Sequence, residues 1–308
     1  MTDIRQKTAV PFARARWDWP TLGLFGTVLL AWGLALVLPA GWGLLGFVLL
    51  VAALTLYSSL THEILHGHPF GSPRAETVLG LWQPGLFIPY LRFKRQHLAH
   101  HRDANLTDPY DDPESNYFDP AVWETLPVWH QRLLRINNTL AGRIVLGPMI
   151  GMVAFLSGDI AAARAGERHI VSDWLLHVPG VVLTLGAVAL SEMSVWIYLA
   201  ACYCAMSVLK IRTFLEHQAH ARVSGRTAIV EDRGILGFLF LNNNLHVVHH
   251  MNPSVAWYKL WPLYLAHKER FQTRNGGYVY PSYGAVFRQY FWRGKDPVAH
   301  PLMPPQER

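Results

Sequence analysis

Two apolar runs without a single charged residue, Leu22–Leu38 and Gly43–Leu60, are separated only by the turn Pro39-Ala40-Gly41-Trp42. Each approaches the ~20 residues that a helix needs to cross a ~30 Å hydrocarbon core. A buried hairpin of a soluble protein would be unusual at that length without a charge. The pair therefore reads as two membrane spans joined by a very short outer loop, which returns the chain to the side it started from. That start is polar and basic, with Arg5, Lys7, Arg14 and Arg16. No signal-peptide cleavage pattern follows, so the segment is expected to be retained, on the cytoplasmic side. Trp17 and Trp19 suit the membrane interface.

Directly after the second run come the first of many histidines, His62-Glu63-Ile64-Leu65-His66. His97-Leu98-Ala99-His100-His101 follows, and His246-Val247-Val248-His249-His250 repeats its spacing. Imidazoles three and four apart share one helix face. A lone histidine on an apolar face is usually a satisfied core residue. Two copies of one five-residue pattern, a further pair, and His217 at the end of an apolar stretch read instead as a metal site. Imidazole suits iron, copper and zinc. A zinc hydrolase needs only three protein ligands and an open position, whereas nine imidazoles are too many for one ion and enough for two. Cys202 and Cys204, the only cysteines, lie in an apolar run and read as small buried residues. With no cysteine near the histidines, copper–thiolate and iron–sulfur centres are disfavoured. His130 and His177 stand outside the repeated pattern and read as structural.

One metal cluster requires all these histidines on one side of the membrane, and parity then assigns the later runs. Leu140–Leu156 carries Arg143 and Pro148 and is expected to be interfacial or re-entrant. Spans three and four are Trp174–Leu190 and Val195–Val208, the latter followed by Lys210 and Arg212. The expected fold is a single domain over 1–308. It is an all-α integral membrane protein with four spans (about 22–38, 43–60, 174–190 and 195–208) under a cytoplasmic histidine-rich helical cap. The second span is expected to continue past the membrane surface, carrying His62 and His66. Residues 70–95 read as two short interfacial helices ending in the basic cluster Arg92, Lys94 and Arg95. That cluster reads equally as a site for lipid headgroups or an anionic acyl carrier and as a topology mark. The carboxylates of Thr107–Glu114, interrupted by two prolines, are expected to cap a polar loop, neutralise nearby arginines or orient a ligand histidine. The absence of Pro and Gly from Lys210 to Ala221 predicts that span four stays helical past His217. Depth then favours His217 over His220 as a ligand. Ser254–Leu265 is expected to form a helix against the site, and the proline-rich tail to be irregular.

A long hydrocarbon chain is the natural substrate for metal ions at the mouth of apolar helices. Iron with dioxygen is the chemistry that attacks an unactivated C–H bond. The mean hydropathy of +0.14 over 308 residues and the 12 tryptophans agree with a membrane enzyme. The formal net charge of +6 reads as topology marking and solvated faces, with no nucleic-acid partner expected.

In order and spacing, the boxes His62-x3-His66, His97-x2-His100-His101 and His246-x2-His249-His250 resemble the membrane fatty-acid desaturase and hydroxylase superfamily, from about His62 to Pro253. Glu216-His217 looks like the extra histidine found between the second and third boxes of alkane hydroxylases. The resemblance implies a non-haem di-iron centre that activates dioxygen. Its ligands would be His62, His66, His97, His100, His101, His217, His246, His249 and His250. His246 stands where desaturases fused to cytochrome b5 often have Gln. No cytochrome b5 or ferredoxin-like domain is visible, which implies a separate electron donor of ferredoxin, rubredoxin or cytochrome type. Asn242 to Pro253, with Trp257 beyond, looks most like bacterial acyl-lipid or acyl-CoA desaturases, so the implied substrate is a lipid acyl chain. Carotenoid ketolases and hydroxylases, and alkyl-chain hydroxylases, are the alternative. A non-catalytic metal-binding protein or transporter is a remote third, since transport favours polar residues at mid-span and the first two spans have almost none.

Overall fold

The computed structural model of the protein describes residues 17–102 and 106–303; the basic start with Arg5, Lys7, Arg14 and Arg16 lies outside them. α1 (Trp19–Val37) begins at Asp18, whose carboxylate accepts from Thr21 N, with Pro20 in the first turn. A 3-10 turn at Ala40–Trp42 leads into α2 (Gly43–Leu65). Phe25 and Val28 of α1 pack on Ala53, Tyr57 and Leu60 of α2, while Leu30, Leu34, Leu44 and Val48 stay on the outside. Apolar residues on both the inner and outer faces mark a helix that meets lipid rather than water.

α3 (Pro73–Leu81) and α4 (Tyr90–Arg102) follow, then α5 (Pro120–Thr125), α6 (Val128–Asn137), α7 (Leu140–Val145) and α8 (Gly147–Arg164). α9 (Arg168–Ala189) and α10 (Val195–Thr213) complete the bundle. Among the described residues, α1, α2, α9 and α10 are the helices long and apolar enough to cross a membrane. α8 is outside that set and carries Asp159 and Arg164. Four spans are thus what the fold provides. Each is longer than its apolar run at one end at least, because α2 and α10 extend toward the histidines and α9 starts at Arg168.

The stretch 82–89, between α3 and α4, is threaded among the spans. Tyr57 donates to Trp82 O at 2.5 Å, Tyr198 to Pro84 O at 2.7 Å, and Trp82 Nε1 to Thr184 Oγ1 at 2.8 Å. His177 Nε2 sits 2.6 Å from Leu86 O. Irregular backbone inside a bundle persists only where side chains satisfy it; Tyr57, Tyr198 and His177 do so for three of its carbonyls, and the Trp82–Thr184 bond pins the segment to α9.

Three expectations need correction. The basic cluster before His97 is largely consumed internally. Arg92 forks onto Asp159 at 2.6–3.1 Å, and Arg95 Nε meets Asp173 at 2.8 Å. Carboxylates four and five helices further along the chain, on α8 and α9, supply the partners, so lipid headgroups are not needed to explain these arginines. α10 ends at Thr213 rather than continuing through Ala221. His217 instead forms an antiparallel bridge with Thr227, with Ala228 N donating to Glu216 O and Gln218 N to Arg226 O. An uninterrupted helical composition permits a helix, and long-range backbone pairing overrides it here. Ser254–Leu265 divides into a 3-10 turn at Trp257–Lys259 and α13 (Leu260–Ala266), with α11 (Ile235–Leu239) and α12 (His246–Met251) before it.

α14 (Lys268–Arg274), a parallel two-residue pairing of β1 (Ile229–Val230) with β2 (Val279–Tyr280), and α15 (Tyr283–Tyr290) close the cap. The tail holds no helix or strand among its described residues. It does clasp the loop before α5, through Phe118 N to Val298 O and His300 N to Phe118 O.

Candidate metal centre

Four segments deliver imidazoles to one place. His62 stands in the last turn of α2 and His66 at its cap. His97, His100 and His101 share the C-terminal half of α4. α12 carries His246, His249 and His250, and His217 comes from the bridged segment after α10. The turn before α12 is built from three asparagines with different tasks. Asn242, at φ 58, takes a left-handed conformation that Asn tolerates and donates to Trp257 O. Asn244 donates to Val230 O and Asp232 O. Asn243 Oδ1 lies 3.0 Å from His246 Nδ1.

The nine imidazoles fall into two groups, His62, His66, His97, His101 and His249 in one, and His100, His217, His246 and His250 in the other. Within each group one ring nitrogen per residue lies within 4.8 Å of all the others. In the first, His97 Nε2 is 3.2 Å from His66 Nε2 and 2.9 Å from His101 Nε2, and His249 Nε2 is 3.0 Å from His101 Nε2. In the second, His250 Nε2 is 3.3 Å from His100 Nε2 and 3.1 Å from His246 Nε2, which is 3.2 Å from His217 Nε2.

On His97 and His100, as on His246, the opposite edge of the ring meets an acceptor. Glu114 Oε1 lies 2.8 Å from His97 Nδ1 and Asp112 Oδ1 2.7 Å from His100 Nδ1. Such partners fix Nδ1–H and turn the Nε2 lone pair inward. Asp112 also accepts from Thr107 N, holding Thr107 at φ 76, a strained conformation for a β-branched residue. Asp108 caps Tyr110 N and Asp111 N. The acidic loop thus caps itself and orients histidines, as its sequence offered, and the charges of Asp108 and Asp112 also act on Arg226. Glu216 Oε1 is 2.9 Å from Arg212 Nε and 3.6 Å from His246 Nδ1, so its first commitment is to the arginine.

The donor set fits a pair of cations. His62 Nε2 is buried without a partner, and its ring packs 4.6 Å from His97 and 4.5 Å from His249. A lone pair buried without a proton donor is costly unless a metal takes it. Burial and then neighbouring imidazoles push His66 and His249 well below the ordinary range, and burial with His97 and His100 brings His101 down to about 3. Neutral imidazoles are what metal ions bind. His100 departs from this. Burial lowers it, but the charges of Glu114 and Asp112 outweigh burial and raise it to about 9. The second group is where the carboxylates concentrate their field.

His220 lies apart, with Nδ1 3.1 Å from Arg222 N in a tight turn. Two participants went unread in the sequence. Asn243 is hidden in a run of three identical residues. Lys295, from the far end of the chain, donates to His217 O at 2.6 Å, and nothing in its local sequence signals that.

The fatty acid desaturase family profile matches residues 39–282, and the chain belongs to that family. It is similar to a beta-carotene ketolase of Paracoccus sp. (strain N81106 / MBIC 01143), 25% identical over 255 residues that cover 76% of this chain and 88% of the ketolase. Family and relative together point to a membrane di-iron oxidoreductase.

Proposed function

We propose that the protein is an oxygen-dependent fatty-acyl desaturase that uses two iron ions held by the nine histidines. The division of those histidines into five and four converging nitrogens carries the reading. The iron pair, when bound, supplies the dioxygen chemistry needed to break an unactivated C–H bond. The chain's own part is to aim the imidazoles and to seat the substrate beside them. Overall, the acyl chain loses two hydrogens, and dioxygen with two electrons and two protons leaves as two waters. The electrons come from a separate ferredoxin-, rubredoxin- or cytochrome-type donor. With both hairpins returning to the basic side, the histidines face the cytoplasm.

Ring oxidation of a carotenoid is the second reading, favoured by the similarity to the ketolase. Desaturation and oxygen insertion share the first hydrogen abstraction and part on substrate placement. Expression in a host lacking such enzymes, followed by mass spectrometry of lipids and pigments, separates them. Acyl chains lacking two hydrogens support the desaturase. Unchanged acyl chains beside oxidised carotenoids reverse the ranking. Purified protein is expected to carry about two irons per chain, and full activity with zinc and without dioxygen would remove the oxygenase class.

A further inference from the structure

A cavity of about 1150 Å³ opens from His62, His97 and His217 and runs along α8. Five cationic side chains line it: Arg92, Arg95, Arg143, Lys210 and Arg212. Three are neutralised by a carboxylate, Arg92 by Asp159, Arg95 by Asp173 and Arg212 by Glu216. Arg143 and Lys210 differ. Among the described residues neither is ion-paired to a carboxylate. Arg143 is 6% exposed, and its guanidinium donates to two neutral groups, Asn116 Oδ1 and Asn137 O. Glu114 also lines the cavity, but it is committed to His97.

The two cations meet at one spot. A β-carbon at Gly147 would lie 3.0 Å from Arg143 Cδ and 3.4 Å from Lys210 Cγ, and one at Gly151 would lie 3.1 Å from Lys210 Nζ. Glycine at both positions leaves the room in which the lysine lies across α8. At the same spot Asn137 Oδ1 is buried without a partner. Turned over, that amide presents its NH2 to an anion. A buried guanidinium and a half-buried ammonium, with no carboxylate in contact and an unsatisfied amide beside them, are costly unless something anionic joins them.

We infer that Lys210 and Arg143 receive a carboxylate belonging to the substrate, so that the enzyme acts on a free acid rather than on a neutral hydrocarbon. This rests on the di-iron reading above and narrows its substrate class. Lys210 precedes His217 by seven residues, of which three are helical and four are not, at most about 19 Å of chain, and both line the one cavity. The bond attacked therefore lies inside the cavity that the anion enters. A carotenoid, with no charge to offer, would press apolar surface against both cations.

The test is binding to the purified full chain in a neutral maltoside detergent, by titration calorimetry, with laurate, methyl laurate, dodecyl phosphate and dodecylamine as probes. Laurate is expected to bind at least about tenfold more tightly than its methyl ester, the scale of one charge-assisted contact, and dodecylamine not to bind. Lys210→Met is expected to erase the preference for the acid, and Lys210→Arg to keep it. Equal affinity of acid and ester, a preference that survives Lys210→Met, or tighter binding of dodecyl phosphate than laurate would overturn the assignment. If Lys210→Met does not fold, the acid–ester comparison on the unaltered protein decides. Iron content measured on the same preparations separates the two readings. Two irons with no acid preference refute only the carboxylate site. An acid preference without iron refutes the di-iron enzyme and leaves the site standing.

Discussion

The five-histidine and four-histidine groups are built by the same device and differ in one contributor. In the second box the pair four apart, His97 and His101, goes to the five-histidine group, and His100 crosses to the other. The third box mirrors this, with His246 and His250 in the four-histidine group and His249 crossing over. A helix turns 3.6 residues per revolution, so positions i and i+4 flank one direction while i+3 points to the other side of it. The His-x-x-His-His spacing thus feeds two sites from one helix. What remains is unequal. α2 adds two imidazoles to the five-histidine group, and a single non-helical residue, His217, completes the other. Redundancy sits on one side of the centre and electrostatic investment on the other.

The largest expected effect follows from that inequality. His217→Ala leaves three nitrogens in its group and is expected to lower iron from about two to about one per chain and to abolish product formation. His66→Ala leaves four nitrogens and is expected to retain more iron. Metal analysis and product yield at matched expression compare them. Greater iron loss from His66→Ala would mean that the groups are not separate sites.

The carboxylates come next. Asp112 is 3% exposed and hydrogen-bonds both His100 and Thr107 N, whereas Glu114 hydrogen-bonds His97 and stands 4.0 Å from His100. Asp112→Asn is expected to weaken metal binding by about 10–100-fold, and Glu114→Gln by less. Iron retention against a graded chelator reads both. A larger effect from Glu114→Gln would place the dominant support on the five-histidine side.

Much of this was legible in the sequence, for a stated reason. Charge-free runs and repeated histidine spacing are periodic, and periodicity survives into the fold, so the four spans and all the histidines that converge could be named in advance. The failures concern pairings between distant segments. Arg92 and Arg95 read as a basic cluster for headgroups, an acyl carrier or topology because Asp159 and Asp173 lie on helices far down the chain. The helix stop at Thr213 is set by backbone pairing of 216–218 with 226–228. Local composition is silent about both.

A smaller effect tests the support behind the five-histidine group. Just beyond His66, His68 Nδ1 meets Asp18 Oδ2 at 2.8 Å, and Asp18 also accepts from Thr21 and Tyr258. The clamp ties the start of α1 to the end of α2. Burial opposes the charge on His68, but the hydrogen bond to Asp18 and the charge of Glu63 win and raise it above 6.5. Burial likewise opposes the charge on Asp18, yet His68 and Thr21 lower it below 3.8. The histidine's contribution is therefore full below pH 6.5 and is lost as pH rises through the raised value. The aspartate's is present above 3.8 and is lost only as pH falls through its lowered value. Asp18→Asn is expected to cost about 1.5–3 kcal/mol at mildly acidic pH and less in alkali. Thermal unfolding at the two pH values checks the sign, and a pH-independent cost would show that the clamp acts without charge.

The smallest expected effect concerns His220, which shares with His217 a three-residue spacing that would align them on a helix. There is no helix there, and the two part company. The bridge to Thr227 and the Lys295 ammonium on its carbonyl hold His217 toward His246. His220 turns back on Arg222, and its ring fills the space that Gly225 leaves open; a β-carbon there would lie 2.4 Å from Nδ1. Its role is to close a turn. His220→Ala is expected to change stability by about 0.5 kcal/mol or less, as substitutions away from buried features do, and to leave both irons in place. Iron content and product yield beside His217→Ala decide the matter. Iron loss from His220→Ala as large as that from His217→Ala would mean that the four-histidine group draws on a fifth residue, and the asymmetry between the groups would disappear.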